Sequence, residues 1–237
     1  MRKQAAGSLV DSKISDRDMT KQAAGSLVDS KISDLDMTKQ AAGSLVDFKI
    51  TDLATFTREQ AISGNPDFHL FYVGRDDVHG VLKYVLSRVT TSLYLNMFGY
   101  DDDELNKIVM SKVLDPHVIV LITLDKSQSG GKHEKMLLAA DKKYNLKAFG
   151  SHFVVGQSAT HQISHTKGFV ADGRIGAEGS TNWSSSGEGT FVVAGKPGGP
   201  KYKAQNNTQS IFIDQDNVAR FQAELVAEHT IATAEEK

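Results

Sequence analysis

The chain has 237 residues, of which 40% are apolar, and its 27 Lys and Arg against 29 Asp and Glu give a net charge of −2; this is the composition of a soluble globular protein, not of a basic nucleic-acid platform. It contains no cysteine, which excludes disulfides, thiolate metal sites and a cysteine nucleophile. Because no apolar run reaches the roughly 18 residues of a membrane span and the N-terminus lacks the apolar core of a secretory signal, we expect a cytoplasmic protein without stable membrane insertion.

Three tandem repeats open the sequence. Residues 3–20, KQAAGSLVDSKISDRDMT, recur as residues 21–38 with the single change of Arg17 to Leu35, and residues 39–56 repeat the first half before they diverge. Each copy has 18 residues, which equal about five turns of an α-helix, so a helical repeat would present the same face in every copy. Such near-identity indicates a duplication in which the number of copies matters more than any one residue.

The repeats predict an N-terminal extension, residues 1–56, separate from a domain formed by residues 57–237. Their apolar residues follow helical spacing and favour an amphipathic stalk that packs against a partner copy. The glycine in each copy costs about 1 kcal/mol in a helix interior relative to alanine, so a disordered tail and a repeat without a selected role are the alternatives. In the third copy, the predicted apolar stripe consists of Ala42, Val46, Ile50 and Leu53.

From Phe68 onward, short β-rich segments alternate with amphipathic helical patterns. We expect strands at residues 68–73, 92–98, 118–124, 153–155 and 209–213, and helices at residues 75–89, 101–114, 130–144 and 217–229. The segment VIVLITL at 118–124 is apolar throughout, which is typical of a strand covered on both faces. The alternation predicts an α/β domain with a mixed central sheet and helices on both sides of it.

The densest group of chemically useful side chains lies in the segment HTKGFVADGRIGAEGSTN. Its specified positions are His165, Lys167, Asp172, Gly179, Ser180 and Asn182. On a strand, His165, Lys167 and Phe169 would share one face, and a turn at residues 171–174, with Gly173 at positive φ, would return the chain as a hairpin. An imidazole, an ammonium, a hydroxyl and an amide around one point suit a phosphate diester, because they supply a nucleophile and donors for charged oxygens.

This spacing of H-x-K, D and G-S-x-N resembles the signature of the phospholipase D superfamily. The resemblance implies an α/β/α-layered fold over roughly residues 66–231 and a phosphodiesterase that uses no metal or other cofactor. It implies that His165 attacks phosphorus to form a phosphohistidine, that Lys167 and Asn182 hold the non-bridging oxygens, and that Ser180 hydrogen-bonds within the site. Asp172 completes the catalytic set, where we expect it to brace the hairpin turn and not to touch substrate.

Many members of the superfamily carry two such motifs, whereas this sequence carries one. The other H-x-K, His133-Glu134-Lys135, lacks the spaced Asp and Asn, lies in a helical pattern, and is predicted to be helix surface. The resemblance therefore implies a homodimer in which His165 of each copy meets at one site, since a two-fold axis places the same residue on both sides. One imidazole would act as nucleophile and the other as acid and then as base.

Other residues are weaker candidates for substrate binding: Gly179, Trp183, Lys196, Lys201 and Lys203. Trp183 could stack on a base or a lipid group, although a core position is the better interpretation, and the lysines could contact a polyanion backbone or lie in a solvated loop. Where relatives often carry an acidic residue that supports a histidine, this sequence has Asn207, Thr208 and Gln209, so no acid is present there for that role.

A nuclease is the favoured function, since small single-motif members of the superfamily tend to be nucleases. A phosphodiesterase acting on phosphatidyl headgroups or cardiolipin is the alternative, although no basic amphipathic membrane helix is evident. A non-enzymatic, repeat-driven assembly protein with a vestigial site is the third hypothesis. If nucleic acid is the partner, the positive charge must be local and binding must be salt-sensitive, and the sequence does not distinguish DNA from RNA.

Overall fold

A mixed β-sheet organises the part of the chain that the computed structural model describes, namely residues 43–58, 64–126, 130–149, 151–156, 164–190 and 204–235. Within these residues the strands are β1 (Phe68–Tyr72), β2 (Ser92–Met97), β3 (Ile119–Asp125), β4 (His152–Gly156), β5 (Lys167–Ala171), β6 (Ile175–Gly179) and β7 (Thr208–Phe212). The α-helices are α1 (Val78–Ser87), α2 (Asp103–Leu114), α3 (Lys132–Tyr144), α4 (Ser185–Glu188) and α5 (Gln215–Glu235), and 3-10 helices cover Ile50–Phe56 and Leu146–Phe149. None of the helices so described combines the length and apolar character that crossing a bilayer requires.

The strand order in the sheet is β1-β7-β6-β5-β2-β3-β4. Strands β2, β3 and β4 are parallel, and the other neighbouring strands are antiparallel. One end of the sheet, which we call the upper end, therefore gathers the carboxyl ends of β1, β2, β3, β4 and β6 and the amino ends of β5 and β7. All of the motif residues except Asp172 lie at this end, because His165 precedes β5 while Ser180 and Asn182 follow β6.

Helices cover both faces of the sheet. On the first face, Leu82 of α1 and Val109 of α2 belong to the same buried cluster as Phe169 of β5. On the second face, Leu225 of α5 is buried with Val170, the neighbour of Phe169 along the strand. Alternate residues of one strand thus enter opposite cores, as the pleat requires, and the predicted α/β layering around a mixed sheet is confirmed.

Aspartate side chains set the start of two helices at the upper end. Asp77 accepts a hydrogen bond from the N–H of Gly80 at 2.9 Å, and Asp102 accepts one from the N–H of Leu105 at 2.7 Å. Each cap pairs an N–H group that the first helical turn leaves unsatisfied, so α1 begins later than the apolar spacing predicted. The caps also place His79 and Glu104 in the first turns of α1 and α2.

The described part of the third repeat packs on the domain. Leu45, Ile50 and Leu53 are at most 2% exposed and belong to the core on the first face of the sheet. Phe56 rests on Gly80, where a Cβ atom would lie 2.7 Å from the phenyl ring, and its carbonyl accepts from the N–H of Asp77 at 2.8 Å. This segment is therefore continuous with the domain that follows it.

The local conformation explains which residues of this copy are buried. Residues 50–56 form a 3-10 helix, in which positions three apart eclipse one another, so Ile50, Leu53 and Phe56 point the same way. Val46, a member of the predicted α-helical stripe, is 58% exposed. The first two copies, residues 3–38, lie outside the described residues.

Replacement of Leu53 by alanine should destabilise the domain by about 2–5 kcal/mol, because it removes a fully buried side chain from a packed core. Val46→Ala is the matched control in the same repeat and should change the free energy of unfolding little, since Val46 is exposed. Urea denaturation of both variants measures the difference. Equal midpoints for the two variants would show that the third repeat does not contribute to the core.

Candidate active site

His165 lies just before β5, not on the strand as the sequence predicted, and it is exposed. Its ring stands edge-on against Phe98, with the ring centroids 4.5 Å apart. Phe98 follows β2 directly, so the carboxyl end of β2 provides the wall against which the imidazole rests. His165 thus combines access to solvent with a fixed aromatic neighbour.

Two carboxylates hold the segment that carries His165. From β3, the buried side chain of Asp125 accepts from the N–H of Ser164 at 2.6 Å. From α5, Glu228 accepts from the hydroxyl of Ser164 at 3.3 Å and from the hydroxyl of Thr166 at 3.4 Å. Glu228 is itself held by Asn96 Nδ2, which donates to it at 2.6 Å. Both neighbours of His165 are therefore held by hydrogen bonds, Ser164 by both carboxylates and Thr166 by Glu228.

Lys167 is the first residue of β5 and is only 4% exposed, although it is a cation. Its Nζ donates to the carbonyl of His165 at 2.6 Å and lies 5.0 Å from the centre of the Phe98 ring. Burial lowers the pKa of Lys167, and the negative charge of Asp125 acts in the opposite direction. Lys167 shares its face of the strand with Phe169, as the period of two predicted.

The loop after β6 brings Asn182 to the same place. Its Oδ1 accepts from the N–H of Gly99 at 3.2 Å, and Gly99 follows Phe98 in the chain. A Cβ atom at Gly99 would lie 3.0 Å from Cγ of Asn182, so a side chain there would press on the amide and require it to shift. Phe98 and Gly99 thereby join His165, Lys167 and Asn182 into one site.

Ser180 and Gly179 connect β6 to β7. The Oγ of Ser180 accepts from the N–H of Thr208 at 3.0 Å, and the N–H of Ser180 donates to the carbonyl of Thr208 at 3.0 Å. At Gly179, a Cβ atom would lie 2.1 Å from that same carbonyl oxygen. Gly179 is therefore required for the close pairing of the two strands, a role that is independent of any substrate.

Gln209 is one of the three residues that stand where an acidic residue would support the candidate catalytic histidine. It is buried, pairs with Gly179 across the sheet, and donates through Nε2 to the carbonyl of Ser210 at 3.4 Å. The carboxylates beside the histidine segment come instead from Asp125 and Glu228, which sequence reasoning missed together with Phe98. The sequence pattern could have indicated Asp125, because it is an acidic residue at the end of an apolar strand. Nothing in the pattern distinguishes Glu228 from the other acidic residues of α5.

Trp183 is a core residue. It is 1% exposed and packs between Tyr100 and Phe169, with ring centroids at 5.5 and 6.3 Å. Its indole cannot stack on a base or a lipid group unless the core opens, which corrects its inclusion among the substrate contacts. Lys196, Lys201 and Lys203 lie outside the described residues.

The segment His133-Glu134-Lys135 belongs to α3, as predicted, but it is not all helix surface. His133 and Glu134 are 3% and 5% exposed. The first turn of α3 packs beside the start of α2, where His133 Nε2 lies 3.0 Å from Asp103 Oδ1. Glu134 turns back to accept from the N–H of Gly130 at 2.6 Å, so local contacts cover both side chains.

A second polar cluster lies among α1, α2 and α4. His79 Nδ1 contacts Glu188 Oε2 and lies 3.8 Å from Asp102 Oδ2, while His79 Nε2 lies 3.3 Å from Glu104 Oε2. Burial alone would lower the pKa of His79, but the carboxylates, chiefly Glu188, raise it to about 9. Burial raises the pKa of Glu188 to about 7, against the opposing effect of His79. The sequence did not suggest this cluster, because its members are far apart in the chain.

Asp172 lies at the lower end of the sheet, separated from Lys167 by the length of β5. Its carboxylate accepts from the N–H groups of Thr90, Thr91 and Ser92 at 3.0, 2.8 and 3.0 Å. It therefore fixes the start of β2 against the hairpin, which agrees with a bracing role and leaves it remote from the imidazole.

The hairpin turn itself has the geometry that its sequence favours. Asp172 and Gly173 both have positive φ, at 53° and 62°, and the N–H of Arg174 donates to the carbonyl of Ala171 at 3.0 Å. Two positive φ angles in a two-residue hairpin turn match the right-handed twist of the strands, and Asp-Gly adopts them readily. The predicted positive φ at Gly173 is confirmed.

Several solved structures are similar to this chain. Nuc from Salmonella typhimurium, a phospholipase D family member, is 15% identical with a TM-score of 0.49, over 70% of this chain and 95% of that one. NucT from Helicobacter pylori is 16% identical with a TM-score of 0.49, over 68% of this chain and 94% of NucT. Phosphatidylserine synthase from Haemophilus influenzae is 10% identical with a TM-score of 0.48, over 68% of this chain and 38% of the synthase. No protein-family model matches the sequence, and no curated protein matches it significantly.

Asp172→Ala should destabilise the fold by roughly 2–3 kcal/mol at neutral pH, because it leaves backbone donors without their charged acceptor. Burial alone would raise the pKa of Asp172, but the N–H donors of residues 90–92 lower it below 3.8. Its contribution is therefore present above the ordinary carboxyl pKa and is lost as the pH falls through the lowered folded value. Urea denaturation over an acid pH series should show the variant and the wild type converging.

Asp172→Asn is the matched control for this experiment. Asparagine tolerates positive φ and keeps one acceptor oxygen, so it should lie between the wild type and the alanine variant at neutral pH. A difference between wild type and Asp172→Ala that stays constant across the acid range would contradict the charged-acceptor role.

Proposed function

We propose that the chain is a metal-independent phosphodiesterase of the phospholipase D superfamily that cleaves nucleic acid at a site shared by two copies. The observation that carries the proposal is the pairing of an exposed, backbone-fixed His165 with the buried ammonium of Lys167 at one end of the sheet. The imidazole of His165 must be able to reach the phosphorus atom, while the ammonium of Lys167 must stay close to the charged oxygens of the bound phosphate. These two requirements explain why one side chain is open to solvent and the other is enclosed.

In the proposed first step, a ring nitrogen of neutral His165 attacks phosphorus. The bond from phosphorus to the leaving oxygen breaks, and that oxygen takes a proton from His165 of the partner subunit. Water then attacks the phosphohistidine, gives a proton to His165 of the partner subunit, and releases the first imidazole as the P–N bond breaks. General acid–base catalysis of this kind contributes about 10²–10⁴-fold.

Lys167 and Asn182 would stabilise the charge that develops on the non-bridging oxygens. The ammonium of Lys167 is held in a site of low exposure, where an electrostatic contact is stronger than in water. The Oδ1 of Asn182 is engaged by Gly99, which orients the amide and leaves its Nδ2 hydrogens for a phosphate oxygen. The hydroxyl of Ser180 accepts from Thr208 and keeps its own proton for donation within the site.

The second imidazole must come from another copy, because the sequence carries one complete motif. A two-fold axis beside the upper end of the sheet would bring two His165 rings over one phosphate. Nucleic acid is the proposed substrate class because small, single-motif members of the superfamily tend to be nucleases. A phosphate diester is common to nucleic acid and to phospholipid headgroups, so the assay must include both.

The test is a substrate panel in excess EDTA, with plasmid DNA, single-stranded DNA, RNA and labelled phospholipid vesicles. We expect cleavage of a nucleic acid that survives chelation, and loss of at least about 1000-fold in turnover for His165→Ala, because the nucleophile is removed. Gel electrophoresis and headgroup release measure the two chemistries. Headgroup release alone would overturn the nuclease assignment, and activity retained by His165→Ala would overturn the site.

A mixed dimer tests the shared site. Wild-type and His165→Ala chains with different affinity tags can be co-expressed and the mixed species purified through both tags. Two independent sites would leave half of the activity, whereas a site that needs both imidazoles should lose at least about 100-fold. Half-activity in the mixed dimer, or full activity in a monomer at high dilution, would contradict the two-copy mechanism.

A further inference from the structure

The cluster formed by His79, Asp102 and Glu188 has the composition of a metal site. The three residues come from α1, the N-cap of α2 and the end of α4, and one ligand atom from each lies within 4.8 Å of the others. A tetrahedral Zn²⁺ ion with ligands at about 2.0–2.2 Å requires ligand atoms roughly 3–3.5 Å apart. Small side-chain rotations would bring these three atoms to that spacing.

Glu188 supplies the independent sign that a ligand is needed. Its side chain is fully buried, and although Oε2 contacts His79, Oε1 has no hydrogen-bond partner. A buried carboxylate with an unsatisfied oxygen is costly unless a cation or a donor reaches it. Asp102 and Glu104 add two further carboxylates around the same imidazole, and Lys83 compensates only Glu104, at 2.5 Å.

The environment of His79 matches that of a metal-bound histidine. Its Nε2 faces Glu104 at 3.3 Å, and a metal-ligating histidine usually donates its second ring N–H to a carboxylate. Metal binding would displace the proton on Nδ1, and with the remaining proton on Nε2 the lone pair of Nδ1 points to Asp102 and Glu188. Glu104 is in turn held by Lys83, so the orienting carboxylate is itself fixed.

We propose that His79, Asp102 and Glu188 bind one divalent transition-metal ion, for which Zn²⁺ is the probe. Imidazole nitrogen and carboxylate oxygen together suit Zn²⁺ better than Mg²⁺ or Ca²⁺, which prefer oxygen ligands alone. The ion neutralises the excess negative charge and supplies Oε1 of Glu188 with a partner. Its role is structural and separate from the proposed phosphodiester chemistry, which uses His165.

The position of this metal site gives it a definite structural effect. Backbone hydrogen bonds already join the two loops beside it, from the N–H of Asp101 to the carbonyl of Trp183 at 2.7 Å and from the N–H of Trp183 to the carbonyl of Gly99 at 2.8 Å. One of these loops begins at Phe98, and the other contains Asn182. A metal ion that links α1, α2 and α4 would brace both loops, and through them the walls of the candidate active site.

The test is calorimetric titration of the chelator-treated full-length protein with Zn²⁺, together with its thermal denaturation. We expect one ion per chain at this cluster and a higher melting temperature with Zn²⁺. Glu188→Gln and His79→Gln should each weaken binding by at least about 10-fold, because loss even of an outer-shell partner costs 10–100-fold, and should lose the Zn²⁺-dependent rise in melting temperature. Circular dichroism of each variant confirms that it folds.

Asp103→Asn is the matched control, since it removes one carboxylate from the start of the same helix while leaving the cluster intact. Asp103 is exposed and pairs with Lys132, so its variant should bind Zn²⁺ like the wild type. Equal Zn²⁺ binding by wild type, Glu188→Gln and His79→Gln, or no binding by the wild type, would overturn the metal site. Because zinc binding and melting temperature are measured without substrate, their outcome is independent of the phosphodiesterase assay. A chelator should lower the melting temperature of the protein, but it should not abolish turnover at temperatures below the melting temperature.

Discussion

The role proposed for His165, attack on phosphorus, requires a side chain that is accessible and yet not free to move, and the rest of the candidate site depends on how this chain meets that constraint. Asp125 and Glu228 meet it by accepting hydrogen bonds from Ser164, and Glu228 also accepts one from Thr166, so that both neighbours of His165 are held. The imidazole itself is left exposed and rests edge-on against Phe98. Backbone fixation of this kind limits the ordering that substrate binding would otherwise require.

The mixed sheet makes this grip possible. Strand β5 is antiparallel to β2, which is parallel to β3, so the segment before β5 meets the carboxyl ends of both neighbours. A buried ammonium and a buried carboxylate both lie at that end, and the negative charge of Asp125 partly offsets the cost of enclosing Lys167. Helix α5 closes the second face and contributes Glu228. The site is thus assembled mainly at the ends of strands, and Glu228 reaches it from within α5.

The same domain also incorporates two features that lie beside this site. The third repeat contributes Leu53 to the core under α1, which connects the N-terminal extension to the helix that carries His79. The cluster around Glu188 connects that helix to the loop containing Asn182. A continuous series of contacts therefore runs from the repeat, through α1, to one wall of the candidate site, and the proposed metal ion would lie in the middle of it.

The sequence by itself determined the elements of the fold and the motif, because apolar periodicity encodes strands and helices, and a short signature encodes its own spacing. It also determined the turn at Asp172 and Gly173, whose conformation depends on neighbouring residues alone. Only the tertiary structure decided between the two interpretations of Trp183, as a core residue or a substrate contact, and brought Glu228 and Glu188 into the candidate sites. These depend on contacts between segments that are distant in the chain, and burial and proximity of that kind leave no local pattern to read.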